Sequence, residues 1–587
     1  MSYQVKGEEA IRSAVRIDDA WELVEHFSGL VRDSGGDAEA KAVDFVTARL
    51  KTWGIDHRLH HPELLISIPK HASLSVGPRT YPAKTPSMAT STPAGGVAAE
   101  VVYEPTGFAK SSSDIFAPAV RGTADVRGKL VLCEGQPMGG KVAELEARGA
   151  VGGIFISPGE RIHEGIVTTI WGSPDLTSLH RKPGIPVVSV SRPDGEELIG
   201  KIRAGDSQAH LTAALSEGFI PIPVLVAEIR GTLEPERFVM VHGHIDSWHY
   251  GVGDNATGDA TLLEVARVLN SVRDRLARSV RICWWSGHSH GRYAGSTWYA
   301  DQFALDLERN CICHINCDSP GCRDADSFED VCAMAETSDF AKGAIHDFAG
   351  APATTQPPIR GGDVSFLNLG LSTLFMLSSN MSNETRKARG LYGVGGCGGN
   401  IEWHTEADTI EIADRKALLR DMGLYAGVAF RAANLPVHPL DFRATLVQIA
   451  DTLAGYKERL GPRIDWEPLE HDLAAAQSAV GDLYASASRA TALDEARPYN
   501  DALLAIGRAL VSVLYSRGGT YRQDPADHFK LLPEFGAATD AMGSAPDGVV
   551  RTELMRASNR LRRALADAAG AAESANRKTS RADMASR

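Results

Sequence analysis

The chain has 587 residues, 43% of them hydrophobic and 23% charged, an ordinary globular composition in a length that calls for three or four domains rather than one core. Its formal net charge of −13 argues against a nucleic-acid partner, which would require a basic face. No apolar run is long enough to span a bilayer, and the first sixteen residues lack a signal-peptide core, so the expectation is a cytoplasmic protein with no membrane partner.

Residues 18–53 carry two helical patterns, one through Trp21, Leu23, Val24, Phe27 and Leu30, the other through Ala42, Val43, Phe45, Val46 and Leu50. The polar run 32–37 separates them, and a polar stretch with proline and serine follows at 82–96. From about residue 97 the texture becomes β-rich: strands are predicted at 128–135, 153–157 and 185–190, with a helix at 141–148 between the first two. Between 236 and 430 strands alternate with helices. The strands at 238–242, 280–285, 311–316 and 372–377 predict an α/β fold, a mostly parallel sheet with helices on both faces. Beyond residue 436 the strands stop, and helical patterns at 442–460, 468–487, 500–515 and 551–575 predict a bundle. The last fourteen residues, 574–587, are polar and basic and read as a disordered tail.

Eight cysteines occur without the density of a disulfide scaffold. Cys311, Cys313 and Cys317 fall at alternating positions of a strand-like run and read as small buried thiols rather than zinc ligands. A reduced interior follows.

The chemistry concentrates after the strand at 238–241. The run from His242 to Gly258 places His242, His244, Asp246, His249 and Asp254 in a loop that leads into a helix marked by Leu262, Val265, Ala266 and Leu269. The C-terminal edge of an open α/β sheet is where ligands bind. The other strands end in comparable residues: Ser286-Gly287-His288-Ser289-His290, then His314 to Asp318, then Glu402-Trp403-His404 after a glycine-rich loop. Imidazole and carboxylate together suit one or two divalent transition ions, Zn2+ first, with Fe2+ or Mn2+ as alternatives. Buried histidines and aspartates at successive strand ends would be costly without a metal to pair them.

These motifs carry a resemblance. Gly243-His244-x-Asp246-Ser247-Trp248 with Asp254, then Asn316-x-Asp318, then His404-Thr405-x3-Thr409, resemble the co-catalytic zinc aminopeptidase family, in the branch of glutamate carboxypeptidase II and the transferrin receptor. Val126-Arg127-Gly128-Lys129, Gly149-Ala150 and Ile185-Pro186-Val187-Val188-Ser189 resemble the protease-associated domain found as an insert in that branch, and Pro439-Leu440-Asp441-Phe442 is similar to the entry of its helical dimerisation domain. The resemblance implies an N-terminal part of the catalytic domain at 1–60, the protease-associated insert at 61–222, the catalytic α/β domain at 223–437 and a helical dimerisation domain at 438–587. Position by position it implies that Asp254 bridges two metals, that His244 and Asp318 complete the first and that His404 serves the second. Asp246 would hold a ligand in orientation. A homodimer through the C-terminal helices is implied as well.

One departure stands out. Where the family places two adjacent glutamates, a general base and a metal ligand, this chain has His288-Ser289 followed by His290, with one extra residue between the flanking glycines. Histidine can serve as base or ligand near neutral pH. The expectation is therefore a metal-dependent hydrolase of an amide or peptide-like bond using metal-activated water, with His288, His290 and Asp246 as the catalytic set. A non-hydrolytic metal enzyme, a lyase or proton-transfer catalyst, is the alternative, and a non-catalytic binding protein a second one. Tyr293 and His249 are placed at the substrate, a small molecule or short peptide. Arg360, Arg386 and Arg389 could pair with a substrate carboxylate. They read as ordinary exposed arginines and are left outside the site.

Overall fold

The apolar run at Phe238 becomes the centre of a sheet buried on both sides. A computed structural model describes residues 3–115, 122–376, 378–527 and 530–585. Across the sheet the strands are ordered Asp56–His60, Val224–Ile229, Arg278–Trp285, Glu234–His244, Cys311–Asn316, Thr373–Met376, Phe328–Cys332 and Ala353–Gln356. The central four are parallel, as the alternation of strand and helix patterns predicts. Asp56–His60 and Val224–Ile229 add an antiparallel edge that periodicity did not reveal, because Pro221 and Pro223 break the run leading into it.

Alternate residues of the central strand face opposite layers, so Val239 and Val241 join the helix Thr257–Ser271 and its neighbours, while Phe238 and Met240 meet Trp285, Tyr299 and Leu307. Near-continuous apolar strands are what such double coverage requires.

The second sheet is ordered Arg79–Pro82, Glu63–Val76, Gln208–Pro221, Val97–Tyr103, Leu130–Glu134, Gly152–Ile156 and Val187–Val190. Its two longest strands pair antiparallel from Glu63–Pro221 to Val76–Ala209. They form the stalk by which the insert leaves and rejoins the α/β domain. Leu74, Leu132, Ile154, Val188 and Leu211 give it a core of its own.

The C-terminal helices are Phe442–Leu460, Glu467–Ala487, Leu493–Tyr515, Pro533–Asp540 and Asp547–Ala585. The last of them corrects the expectation of a disordered tail, since the helix runs on through residues 574–585. Ala568, Ala572 and Ala575 continue its buried stripe, and alanine is the best helix former. The bundle is anchored to the sheet by Arg508, whose guanidinium donates to the carbonyls of Leu307, Glu308, Gly370 and Cys311. All eight cysteines are buried free thiols, and no helix among the described residues is long and apolar enough to cross a membrane.

Candidate metal centre

Register brings the site together. His244 pairs with Trp285, so the loop 286–290 leaves the sheet beside it; His242 pairs with Asn316, which puts Asp318 two residues further on at the same edge. A Cβ on Gly243 would sit 2.4 Å from the Cys317 carbonyl oxygen, so this approach is open only to glycine.

Two residues outside the expected site hold the loop. Arg32, wholly buried, donates to the carbonyls of Ile245 at 2.8 Å, Tyr250 at 2.8 Å and Gly251 at 3.0 Å. Asp408 accepts the N–H groups of Gly253 at 2.6 Å and Asp254 at 3.0 Å, and burial pushes its carboxyl up to about 7. Arg32 lay in what read as a polar linker. Asp408 lay in the His404 motif, and only its i+4 spacing from a ligand hinted at a role.

At the centre, Asp254 stands between two imidazoles. Its Oδ1 is 2.9 Å from His244 Nε2 and its Oδ2 is 3.0 Å from His404 Nε2. His244 Nδ1 lies 2.8 Å from the Asp246 carbonyl oxygen, and His404 Nδ1 lies 3.0 Å from that of Glu164. A ring nitrogen facing a carbonyl must be the one carrying hydrogen, which leaves each neutral imidazole presenting an Nε2 lone pair to the same carboxylate. Lone pairs facing lone pairs need a cation between them. Without one, both rings must be protonated: burial opposes this at His244, but Asp254, Asp318 and Asp246 override it and hold its pKa well above 6.5. One ligand atom each from His244, His288 and Asp318 lie within 4.8 Å of one another. The donor set therefore fits a divalent ion, with His244, His288 and Asp318 converging on one side and Asp254 facing both His244 and His404.

The insert completes this half of the site. Glu164 belongs to it, and besides accepting from His404 its own N–H donates to the His404 carbonyl at 2.8 Å. Its carboxylate meets Lys84 at 3.1 Å and His249 at 3.2 Å. His249, expected at the substrate, is thus engaged in an ion cluster between insert and loop, because its ring turns toward Lys84 and Glu164. The His404 ring stacks on Trp403 at 3.7 Å.

Asp246 differs in one respect from expectation. It supports His244 through its backbone carbonyl, while its carboxylate accepts from the N–H groups of His288 at 3.2 Å and Ser289 at 2.8 Å and from the Ser34 hydroxyl at 2.6 Å. It fixes the loop that carries His288. His288 stacks on His244 with ring centroids 3.7 Å apart, and its Nδ1 lies 2.8 Å from Asp363 Oδ2. Asp363 lies 75 residues beyond His288, so no local spacing announced it. His290, expected to share the proton-carrying role, is directed elsewhere: its Nδ1 faces the Ser34 backbone N–H at 3.3 Å and the Ser34 hydroxyl at 2.9 Å, and Trp248 packs against it at 4.3 Å. His242 is a core residue bonded to Trp285 and His314, each at 3.0 Å.

A cavity of about 70 Å³ opens on the centre, lined by Asp254, His288, Ser289, Arg292, Tyr293 and Asp318 among others, with Gln136 and Met138 contributed by the insert. Tyr293 accepts the Gly362 N–H at 3.0 Å, which leaves its hydroxyl hydrogen free to donate.

Residues 225–426 match the model of Peptidase family M28 and residues 97–198 that of the PA domain. The chain carries an M28 peptidase domain. Over 348 residues it is 26% identical to a probable glutamate carboxypeptidase, VP8, of Zea mays, covering 49% of this chain and 48% of that one. Aminopeptidase NAALADL1 of Mus musculus is 35% identical over 94 residues, 15% of this chain and 12% of the other. The chain thus spans about half the length of the maize relative and less of the mouse one. Among solved structures, BSAP, a zinc aminopeptidase from Bacillus subtilis, superposes with a TM-score of 0.53 at 20% identity, covering 71% of this chain and 95% of that one. A peptidase M28 precursor from Shewanella amazonensis gives 0.54 at 20% identity, covering 73% and 96%. These superpositions show that the M28 domain keeps the zinc-aminopeptidase fold.

Proposed function

We propose that the M28 domain hydrolyses an amide bond in a short peptide or peptide-like substrate, with divalent metal ions, zinc first, held by His244, Asp254 and Asp318 and, across Asp254, by His404. The observation that carries this is the Asp254 carboxylate facing the Nε2 atoms of two histidines whose Nδ1 hydrogens are already committed to carbonyls. Ions bound there supply Lewis acidity toward a carbonyl oxygen and make water more acidic.

The chain's own residues supply the proton path. His288 keeps its Nδ1–H on Asp363, so its Nε2 is free to take a proton from attacking water and return it to the leaving nitrogen. Asp363 holds the ring in that tautomer, as the carboxylate of a Ser-His-Asp triad does. Asp246 positions the loop rather than touching substrate. The Tyr293 hydroxyl offers a hydrogen to the developing oxyanion.

The test is metal analysis of protein purified without chelator, followed by assays on dipeptides and acylated amino acids before and after chelation. Bound zinc with chelator-sensitive hydrolysis supports the reading. Bound zinc without hydrolysis of any peptide or amide leaves a metal enzyme of another class.

A cytoplasmic location and a homodimer through the C-terminal helices are proposed for the same protein. The eight free thiols suit a reducing compartment. Val549 and Met555, both more than half exposed, leave apolar side chains uncovered on the last helix. Light scattering at increasing concentration decides the dimer.

A further inference from the structure

Among the described residues, interior arginines have acceptors, with one exception. Arg32 donates to three loop carbonyls, Arg278 pairs with Glu234 at 2.7 Å, Arg431 with Glu8 at 2.7 Å, and Arg360 donates to the carbonyls of Asp524 and Pro525. Arg292 is only 4% exposed, yet among the described residues its guanidinium has no hydrogen-bond acceptor and no carboxylate partner, only the neighbouring Tyr293 ring at 5.4 Å, and its Nε is sealed from solvent. It lines the cavity that opens on Asp254, His288 and Asp318. A buried cation left unpaired is costly unless something absent from the chain pairs with it.

Two further observations point the same way. The amide nitrogen of Gln136, from the insert, lines the same cavity and is likewise buried without an acceptor. Arg292 and Tyr293 are also held at φ 51° and 68°, two consecutive non-glycine residues in the left-handed region. Such strain persists where the surrounding structure needs the side chains in place, and here they are the two that face the cavity beside His288.

We propose that Arg292 binds a carboxylate of the substrate, so that the cavity selects an acid over its amide or amine counterpart. A guanidinium matches a carboxylate in shape and charge, with two parallel N–H donors. Arg360 adds positive charge from behind: its guanidinium lies 4.2 Å over Trp171, which packs against Tyr293 at 4.3 Å. It was expected on the surface and is in fact 4% exposed, fixed by the bundle. The same two cations disfavour a free ammonium in this part of the cavity. The inference rests on the hydrolase reading only in treating the bound acid as substrate.

The test compares Ala-Ala with Ala-Ala-amide, and N-acetylalanine with N-acetylalanine amide, on the metal-loaded protein. A kcat/KM for the free acid about ten- to a hundredfold above the amide is expected, the span of one charge-assisted contact. In Arg292→Gln that ratio falls to near one, through KM more than kcat, and Arg292→Lys restores part of it. Equal turnover of acid and amide by the unaltered protein overturns the proposal while leaving a hydrolase. If neither peptide is cleaved, calorimetric titration with N-acetylalanine decides: binding that is absent for the amide and lost in Arg292→Gln supports it, and no binding of the acid overturns it. Should both variants fail to fold, the acid-to-amide comparison on the unaltered protein stands alone as the test.

Discussion

His288 Nδ1 lies 2.8 Å from Asp363 Oδ2, while the face of the same imidazole stacks on His244 at 3.7 Å. One ring thus joins the metal ligands to a buried carboxylate on the far side. Asp363 is held below the usual carboxylate range despite burial, by the charge and hydrogen bond of His288 together with His244 and Ser296. The pair works as one unit. Asp363→Asn should lower kcat by about 10²- to 10⁴-fold with a smaller change in KM, and His288→Ala should cost as much. The double variant should lose little more than either single one, which steady-state kinetics on all three proteins will show. Additive losses would mean that the two act separately.

Metal binding should be uneven. His244 Nε2 has Asp254 at 2.9 Å and Asp318 at 3.9 Å, whereas His404 has only Asp254 beside it. Titrating metal-free protein with Zn2+ in a calorimeter should give one tighter and one weaker event, both largely abolished in Asp254→Asn. Chelation should lower the Tm, because an ion that binds only the folded state stabilises it by mass action, about 2.7 kcal/mol at a hundred times its Kd. A single event retained in Asp254→Asn would refute the bridging role.

Gly243→Ala should be severe for a one-methyl change. Its Cβ meets a backbone carbonyl at 2.4 Å, which cannot rotate away, so the Cys317–Asp318 segment must shift relative to His244. A displacement of about 1 Å at a catalytic centre costs about a hundredfold in rate. Reduced zinc affinity and a lower Tm should accompany it. Normal metal affinity in this variant would show that the approach relaxes elsewhere.

Acid sensitivity should come partly from a histidine far from the metal. His438 is buried, its Nδ1 has no partner, and burial together with Arg278, Arg237 and Arg508 pushes its pKa well below 6.5. The folded protein keeps this ring neutral where the unfolded chain binds a proton. Stability is therefore fully present above about pH 6.5 and declines as pH falls toward the folded pKa, at up to about 1.4 kcal/mol per pH unit. Tm followed from pH 7.5 to 5.5 should fall less steeply in His438→Gln than in the unaltered protein. Parallel slopes would exclude His438 as a source.

What the sequence alone determined about this protein was periodicity and punctuation. The parallel sheet, the β-rich insert and the helical region follow from where apolar residues recur and where glycine and proline interrupt them, and these are local properties. That His244, Asp254, Asp318 and His404 share one edge could be expected because strand ends of a parallel sheet lie together; their choice among the neighbouring histidines and aspartates came from the family resemblance. The tertiary structure decided what depends on direction. His288 and His290 are two residues apart and chemically identical, yet one turns to Asp363 beside the centre and the other to Ser34. Arg32 and Glu164 come from segments 212 and 90 residues before Asp254's loop partner His244 and Asp254 itself, so no spacing could announce them. Only folding shows that the Arg292 charge is buried with no acceptor or carboxylate to balance it among the described residues. Burial and side-chain direction arise from contacts between distant segments, and a pattern read along one chain does not contain them.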